Sequence, residues 1–398
     1  MKKILIVATD MEIGGAERAL LGLLEAIDRA AYSVDLFLLK HQGPFIKFIP
    51  EGINLLPEKA GYMDLGVPIK DVLLRGRFSI AFGRAMGKYM ARQYIKKYNL
   101  KKENSVEIHY SFKYTLKFLP NISDTEYDLA LGFTTPYYIL DKKVVAKKKA
   151  VWIHTDYSVL DGDRNEEKKV WAAYPYIISI SEEVTKSFLK VYPGLKERIY
   201  RIDNIVSETM ISKQANMFTV EKEMPSSKGT FLLLSIGRFS KAKNFDNVPN
   251  ICHRLLNMGF SVRWYLIGYG GDESLIKKKI EEEGMGTSVI LLGKKENPYP
   301  YIKACDLYVQ PSRYEGKSIT VREAQMLGKP VVISRYPTSS SQLEDGVDGI
   351  IVPIDNEGCA IGIAELLCSP EKMEQLRENC RKRDYSNTEE IEKLYQIM

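Results

Sequence analysis

Two glutamates, Glu315 and Glu323, bracket a stretch that reads DLYVQPSRYEGKSITVRE over residues 306–323. A carboxylate accepts two hydroxyls at once, so each glutamate suits a vicinal diol. An apolar run, Leu307–Val309, leads into a loop holding Glu315, Gly316, Lys317 and Ser318. A helix is expected from about Ile319, with Glu323 in its second turn, so the two carboxylates cannot share a helix face. Between them lies a helix N-terminus, whose free amides suit a phosphate. A second constellation, Ser235-Ile236-Gly237-Arg238, ends another apolar run, and Lys241, Lys243 and Asn244 follow it. A guanidinium and an ammonium at a strand end neutralise a diphosphate. A third follows the first apolar run, where Gly14-Gly15-Ala16-Glu17 makes a turn at which a backbone approaches a ligand closely. It is not G-x-G-x-x-G, so the dinucleotide fingerprint is absent. Taken singly, each of these residues reads better as ordinary surface, and it is the arrangement that is specific.

Two other patterns point elsewhere. Asp161-Gly162-Asp163 is an Asp-x-Asp triplet of the kind that binds a divalent cation, or a polar turn. The turn is the reading favoured here, because protein cations already serve the phosphates. His41, His109 and His253 have no paired ligand spacing, and no metal is expected.

The elements that must position these groups are short apolar runs alternating with helical stretches. Ile4–Val7, Val34–Leu39, Leu129–Phe133, Val151–His154 and Ile177–Ile180 form one series. Phe231–Ile236, Val262–Ile267, Val289–Leu292, Leu307–Val309, Val331–Ile333 and Ile350–Val352 form a second. The runs lack polar alternation, as parallel strands covered on both faces do. Strand–helix alternation implies right-handed crossovers, hence an α/β chain with two Rossmann-like doubly wound parallel sheets facing a cleft. Ligands bind beyond the carboxyl ends of such strands, where the three constellations lie. The expected division is 1–205, a polar connection at 206–229, and 230–398, with the last helix free to pack back on the first domain. Residues 41–127 are the least readable part, and acceptor recognition is assigned to them.

Size and composition agree with this. The chain has 398 residues, 45% hydrophobic and 27% charged, which suits two soluble domains. Its five cysteines, Cys252, Cys305, Cys359, Cys368 and Cys380, contain no C-x-x-C pair and suggest no disulfide framework. The apolar run near the N-terminus is too short for a secretory signal, and no run approaches a membrane span, so a cytoplasmic protein is expected. The net charge of +6 is uneven. Residues 1–205 carry 32 Lys+Arg against 25 Asp+Glu, and residues 70–117 alone carry 12 against 3. That segment mixes Arg75, Arg77, Arg84, Lys88, Arg92, Lys96 and Lys97 with Phe78, Ile80, Phe82, Met86, Tyr89 and Met90. It reads either as a helix lying on an anionic membrane surface or as a solvated helix face. No nucleic-acid partner is expected.

These motifs, in this order, resemble the retaining GT-B glycosyltransferases of the large family 4 (glycosyl transferases group 1). The resemblance rests on Glu315, Glu323-Ala324 and Gly328-Lys329-Pro330-Val331, on Gly237-Arg238 with Lys243-Asn244, on Gly14-Gly15-Ala16-Glu17, and on Trp152-Ile153-His154. Ile267-Gly268-Tyr269-Gly270 and Asn297-Pro298-Tyr299 also look like it. It is dense from 230 to 353 and thin from 41 to 127. The resemblance implies transfer of a hexose-type sugar, from a UDP-sugar by preference, to a cell-surface glycan or lipid-linked acceptor. Arg238 and Lys243 would hold the donor diphosphate, and Glu323 the ribose. Glu315 would orient the sugar, while amides of Lys317, Ser318, Ile319 and Thr320 would meet the phosphates. His154 would reach the sugar from the opposite domain, and Gly14 and Gly15 would close onto phosphates or acceptor. Gly316 and Gly268 belong to the same donor pocket. Two departures concern donor preference: Lys317 stands where a large apolar residue is common, and Thr338-Ser339-Ser340-Ser341-Gln342 replaces a Gly-Gly loop with a glutamate. A nucleotide-sugar epimerase on the same architecture, or a non-catalytic sugar-binding protein, are the alternatives.

Overall fold

The fold is described from a computed structural model, for residues 1–12, 14–100, 105–134, 137–154, 157, 161–315 and 318–398. The chain divides into two units, Met1–Val206 with Asn387–Met398, and Ser207–Ser386.

In the first unit, β1 (Lys2–Ala8), β2 (Tyr32–Leu38), β3 (Asn54–Leu55), β4 (Glu126–Gly132), β5 (Val145–Ile153), β6 (Tyr176–Ser179) and β7 (Ile199–Arg201) form one sheet. Its order is β3-β2-β1-β4-β5-β6-β7, and each neighbouring pair is parallel. Ile4, Leu5, Ile6, Leu129 and Ala130 are fully buried, as continuous apolar runs in a covered sheet must be. β3 and β7 are too short to show in the sequence. The last helix, Ile391–Ile397, belongs to this unit: the ring of Tyr395 stacks on Tyr32, and its hydroxyl accepts from the Asp28 amide at 2.8 Å.

In the second unit, β8 (Phe231–Ile236), β9 (Val262–Ile267), β10 (Val289–Gly293), β11 (Leu307–Gln310), β12 (Val331–Ser334) and β13 (Ile350–Val352) run in the order β10-β9-β8-β11-β12-β13, again all parallel. Renumbered within the unit, this is 3-2-1-4-5-6, the doubly wound order with its crevice between strands 1 and 4. Trp264 locks the three central strands: its ring N–H donates to Ser235 Oγ at 2.9 Å, and that hydroxyl donates to the Val309 carbonyl at 2.5 Å. Cys252, Cys305, Cys359 and Cys380 are buried here, and burial pushes the first three thiols up to about 12 and Cys380 to about 11. They act as small hydrophobes rather than nucleophiles.

The stretch 206–229 is not the plain connection that its polarity suggests. Ser207 caps the helix Glu208–Ala215, whose Ile211 and Ala215 are buried within the second unit. Its apolar positions are too few to announce a helix, but four-residue spacing puts them on one face.

Candidate functional site

The second-unit site forms where the crevice between β8 and β11 opens. Arg238 and Lys243 follow β8, and Glu315 follows β11. The structure brings Lys243 and Glu315 together: the ammonium donates to Glu315 Oε1 at 2.5 Å, with the two side chains 18% and 12% exposed. Two more groups act on the same oxygen. Ser312 Oγ donates to it at 2.7 Å, and Gln310 Nε2 reaches it at 3.5 Å and Ser312 Oγ at 2.9 Å. Tyr308 donates to Gln310 Oε1 at 2.9 Å. Period-two alternation puts Tyr308, Gln310 and Ser312 on one face, so β11 runs a polar chain through the core to the carboxylate. Every bond lands on Oε1; Oε2 has no partner among the described residues. Thr338 Oγ1 donates to the Glu315 carbonyl at 2.7 Å and steadies its backbone.

The loop carrying Lys243 is pinned from below. Asn244 is buried in the left-handed conformation with φ 61°, and its Nδ2 donates to the Pro311 carbonyl at 2.8 Å. Arg313 forks onto Asp246 at 2.8 and 2.7 Å and donates to the Lys241 carbonyl at 2.8 Å. Asp246 holds that guanidinium above its ordinary range. The Lys243 stem lies against Gly237, where an added Cβ would stand 2.9 Å from Cε. Gly268, at φ 153°, presses onto the same turn: a Cβ there would stand 1.9 Å from the Gly237 carbonyl oxygen. Gly268 is therefore a spacer that sets the Arg238 turn. The Arg238 side chain is exposed and has no partner among the described residues.

The helix Ile319–Met326 begins at Ser318. Of the amides expected to be open, that of Ser318 is already taken: it donates to Gln342 Oε1 at 2.6 Å, and Gln342 Nε2 returns a bond to the Ser318 carbonyl at 3.1 Å. Ile319 and Thr320 follow, and first-turn amides lack intrahelical acceptors. Glu323 is 1% exposed and accepts from Tyr299 at 2.8 Å. It is a braced, enclosed carboxylate rather than one standing in solvent. Gly316 and Lys317 lie outside the described residues. Sequence reasoning missed Gln310, Ser312 and Asp246, and assigned no role to Arg313 or Gln342. Their partners are remote in sequence, and only the in-line spacing of Tyr308, Gln310 and Ser312 hinted at any of it.

Gly14, Gly15 and His154 belong to the first unit. Gly14 precedes the helix Gly15–Ala26, and a Cβ there would stand 2.1 Å from Glu17 Oε2. The Glu17 carboxylate folds back beneath Gly14, and its burial raises its pKa. Gly15 faces open space. Thr9, after β1, and Thr134, after β4, bridge that sheet's own crevice, the Thr9 amide donating to Thr134 Oγ1 at 2.8 Å. His154 follows β5 and packs against Phe133, ring centroids 4.6 Å apart. Burial lowers its pKa to about 4, against a hydrogen bond to the Phe133 backbone, and Nε2 is enclosed without a partner among the described residues. It is a neutral imidazole.

The Asp-x-Asp triplet is occupied by structure. Asp163 caps the helix Arg164–Ala172 through the amides of Asn165 and Glu166, and accepts from Tyr110 at 2.7 Å. Among the described residues, no three His, Cys, Asp or Glu side chains gather as a metal site would require.

Residues 217–383 match the family described as Glycosyl transferases group 1. The chain is 25% identical over 189 residues to the alpha-D-kanosaminyltransferase of Streptomyces kanamyceticus, covering 46% of this chain and 48% of that one. It is 28% identical over 137 residues to the lipopolysaccharide core biosynthesis glycosyltransferase LpsE of Rhizobium meliloti, covering 34% and 39%. The chain thus spans about half or less of the length of these relatives. Among solved structures, Anabaena HepE in complex with UDP and glucose matches with TM-score 0.63 at 16% identity, over 100% of both chains. Sucrose-phosphate synthase from Thermosynechococcus elongatus matches with TM-score 0.61 at 17% identity, over 100% and 98%. At these identities the likeness concerns the fold, a two-domain α/β architecture of the GT-B kind.

Proposed function

We propose that this chain is a glycosyltransferase that moves a hexose-type unit from a UDP-sugar to a glycan or lipid-linked acceptor, with retention at the anomeric carbon. The observation that carries the reading is the crevice of the second unit, where Lys243 and Ser312 hold one oxygen of the Glu315 carboxylate, with Arg238 following β8 and the helix Ile319–Met326 following β11. UDP is favoured because HepE was solved with UDP and glucose, and a glycan acceptor because one similar protein, LpsE, is named for lipopolysaccharide core biosynthesis.

The chemistry follows from the leaving group. Breaking the bond between the anomeric carbon and the β-phosphate oxygen puts negative charge on the diphosphate. The sugar carbon becomes oxocarbenium-like. Arg238, Lys243 and the amides of Ile319 and Thr320 stabilise the departing charge where it develops. Lys243 has three N–H bonds, so it keeps Glu315 and still reaches a phosphate oxygen. Glu315 Oε2 takes sugar hydroxyls, and the acceptor oxygen closes on the anomeric carbon as its proton passes to the departing phosphate oxygen. Glu323, braced by Tyr299, takes the ribose diol. Gln342 gates the Ser318 amide, which joins the phosphates when the amide of that side chain swings away. Gly268 sets the turn that carries Arg238 at the edge of this donor pocket. No metal is invoked, since protein cations carry the phosphate charge.

A screen of labelled UDP-, GDP- and dTDP-sugars for nucleotide release tests this reading, with a chelator present. Release of UDP that survives chelation is expected. Conversion of a UDP-sugar to its epimer without UDP release would favour an epimerase instead.

A further inference from the structure

The helix Phe78–Tyr98 contains no acidic residue. It buries one face: Gly83 and Gly87 sit so close to the helix Val106–Thr115 that a Cβ would stand 2.8 Å from the Tyr114 carbonyl oxygen and 2.6 Å from that of Tyr110. Ile80 and Ala91 share that burial. The far side is unusual. Phe78, Phe82, Met86 and Tyr89 follow one another at spacings of four, four and three, which makes a single stripe. They are 68%, 57%, 36% and 58% exposed. Leu73 and Leu74, which close the preceding helix Ile69–Leu74, are exposed as well. Isolated exposed apolar residues are normal, but a contiguous aromatic stripe marks an interaction surface.

The basic residues of this segment fall into two groups. Arg75 and Arg77 clamp the buried carboxylate of Asp64, and Arg84 donates to the Asp64 and Val67 carbonyls. These three cations serve the fold and are not available to a partner. Lys88, Arg92, Lys96 and Lys97 are exposed and have no ion-pair partner among the described residues. On a helical wheel Lys96 falls on the aromatic stripe, while Arg92 and Lys97 border it and Lys88 lies beyond Arg92.

We propose that this stripe is a docking face for an anionic lipid surface, with Phe78, Phe82 and Tyr89 entering the headgroup region and Lys88, Arg92, Lys96 and Lys97 meeting lipid phosphates. Charge selects this occupant. A two-fold contact with a second copy would set these unpaired cations against their own equivalents, with no carboxylate on the helix to offset them. An aromatic stripe beside exposed cations suits an interface that is apolar on one side and anionic on the other. The proposal stands independently of the sugar-transfer reading.

The test is flotation of the full chain with vesicles of phosphatidylcholine alone and of phosphatidylcholine with about a third phosphatidylglycerol, at low and high salt. Binding to the anionic vesicles at low salt, and little to neutral ones, is expected. Lys88→Glu with Arg92→Glu should lower the bound fraction roughly tenfold or more. Phe78→Ser with Phe82→Ser should abolish what survives at high salt while leaving the thermal melt of the chain unchanged. Lys278→Glu with Lys372→Glu makes the same charge change in the other unit and should leave binding intact. Loss of binding in that control would assign the effect to net charge and overturn the proposal. Absence of flotation at low salt would do the same, as would a wild-type dimer in sedimentation velocity that Phe82→Ser dissolves.

Discussion

Lys243 and Glu315 illustrate how two groups read as separate site residues become one device. The ion pair is largely buried, so breaking it leaves an uncompensated charge. Lys243→Ala and Glu315→Ala should each lower turnover by roughly 10²-fold or more, the scale for losing a charge-stabilising group. Glu315→Gln should keep the hydrogen bond from Ser312 yet lose the grip on Lys243, and steady-state kinetics should show both a lower kcat and weaker donor binding. His154 gives a pH signature. Its folded pKa of about 4 lies below the ordinary 6.5, so the unfolded state takes up the proton first. Its contribution to stability is complete above about pH 6.5, falls as pH drops, and is fully lost by about pH 4. Thermal melts from pH 8 to 4 should show this acid loss, and His154→Phe should flatten it. His109, also lowered by burial, would add to the wild-type slope in the same direction. A melting temperature unchanged between pH 7 and 5 would contradict the buried, neutral imidazole.

At the scale of elements, strands and turns deliver the chemistry. β8 and β11 are adjacent because the doubly wound order reverses there, which brings Lys243 and Glu315 together across 72 positions of chain. That much was legible: uninterrupted apolar runs announced covered parallel strands, and the polar residues just beyond their ends stood out. The supports were not legible. Asn244 reads as a motif partner of Lys243, yet it is buried and holds the loop through the Pro311 carbonyl. Arg313 carries no signal in the sequence, yet it spans the same loop through Asp246. Arg75, Arg77 and Arg84 read as a basic patch, and Asp64 recruits them. In each case the partner is remote in sequence, so neither periodicity nor spacing carries a trace of it. Two predictions belong here. Arg313→Ala should weaken donor binding about tenfold by freeing the loop, while the far-ultraviolet spectrum stays unchanged. Gly268→Ala should cost the second unit about 2–4 kcal/mol in denaturant melts, because its Cβ would overlap the Gly237 carbonyl.

Across the whole molecule, the chain repeats one architecture twice and uses the copies differently. The second unit carries the cations and carboxylates that suit a nucleotide diphosphate, and matches the group 1 family over 217–383. The first carries the positive charge surplus, the aromatic stripe and the helices of 41–127, whose register the sequence did not disclose. Among the described residues no helix is long and apolar enough to cross a membrane. The central claim is that Arg238, Lys243 and the start of the helix Ile319–Met326 act on one pyrophosphate. Titration calorimetry with UDP and UMP tests it most directly, on the wild type, Arg238→Ala, Lys243→Ala and the double variant. UDP should bind at least about tenfold more tightly than UMP, each single variant should erase most of that preference, and their effects should be non-additive. Equal affinity for UDP and UMP in the wild type, or a preference that both variants retain, would contradict the account.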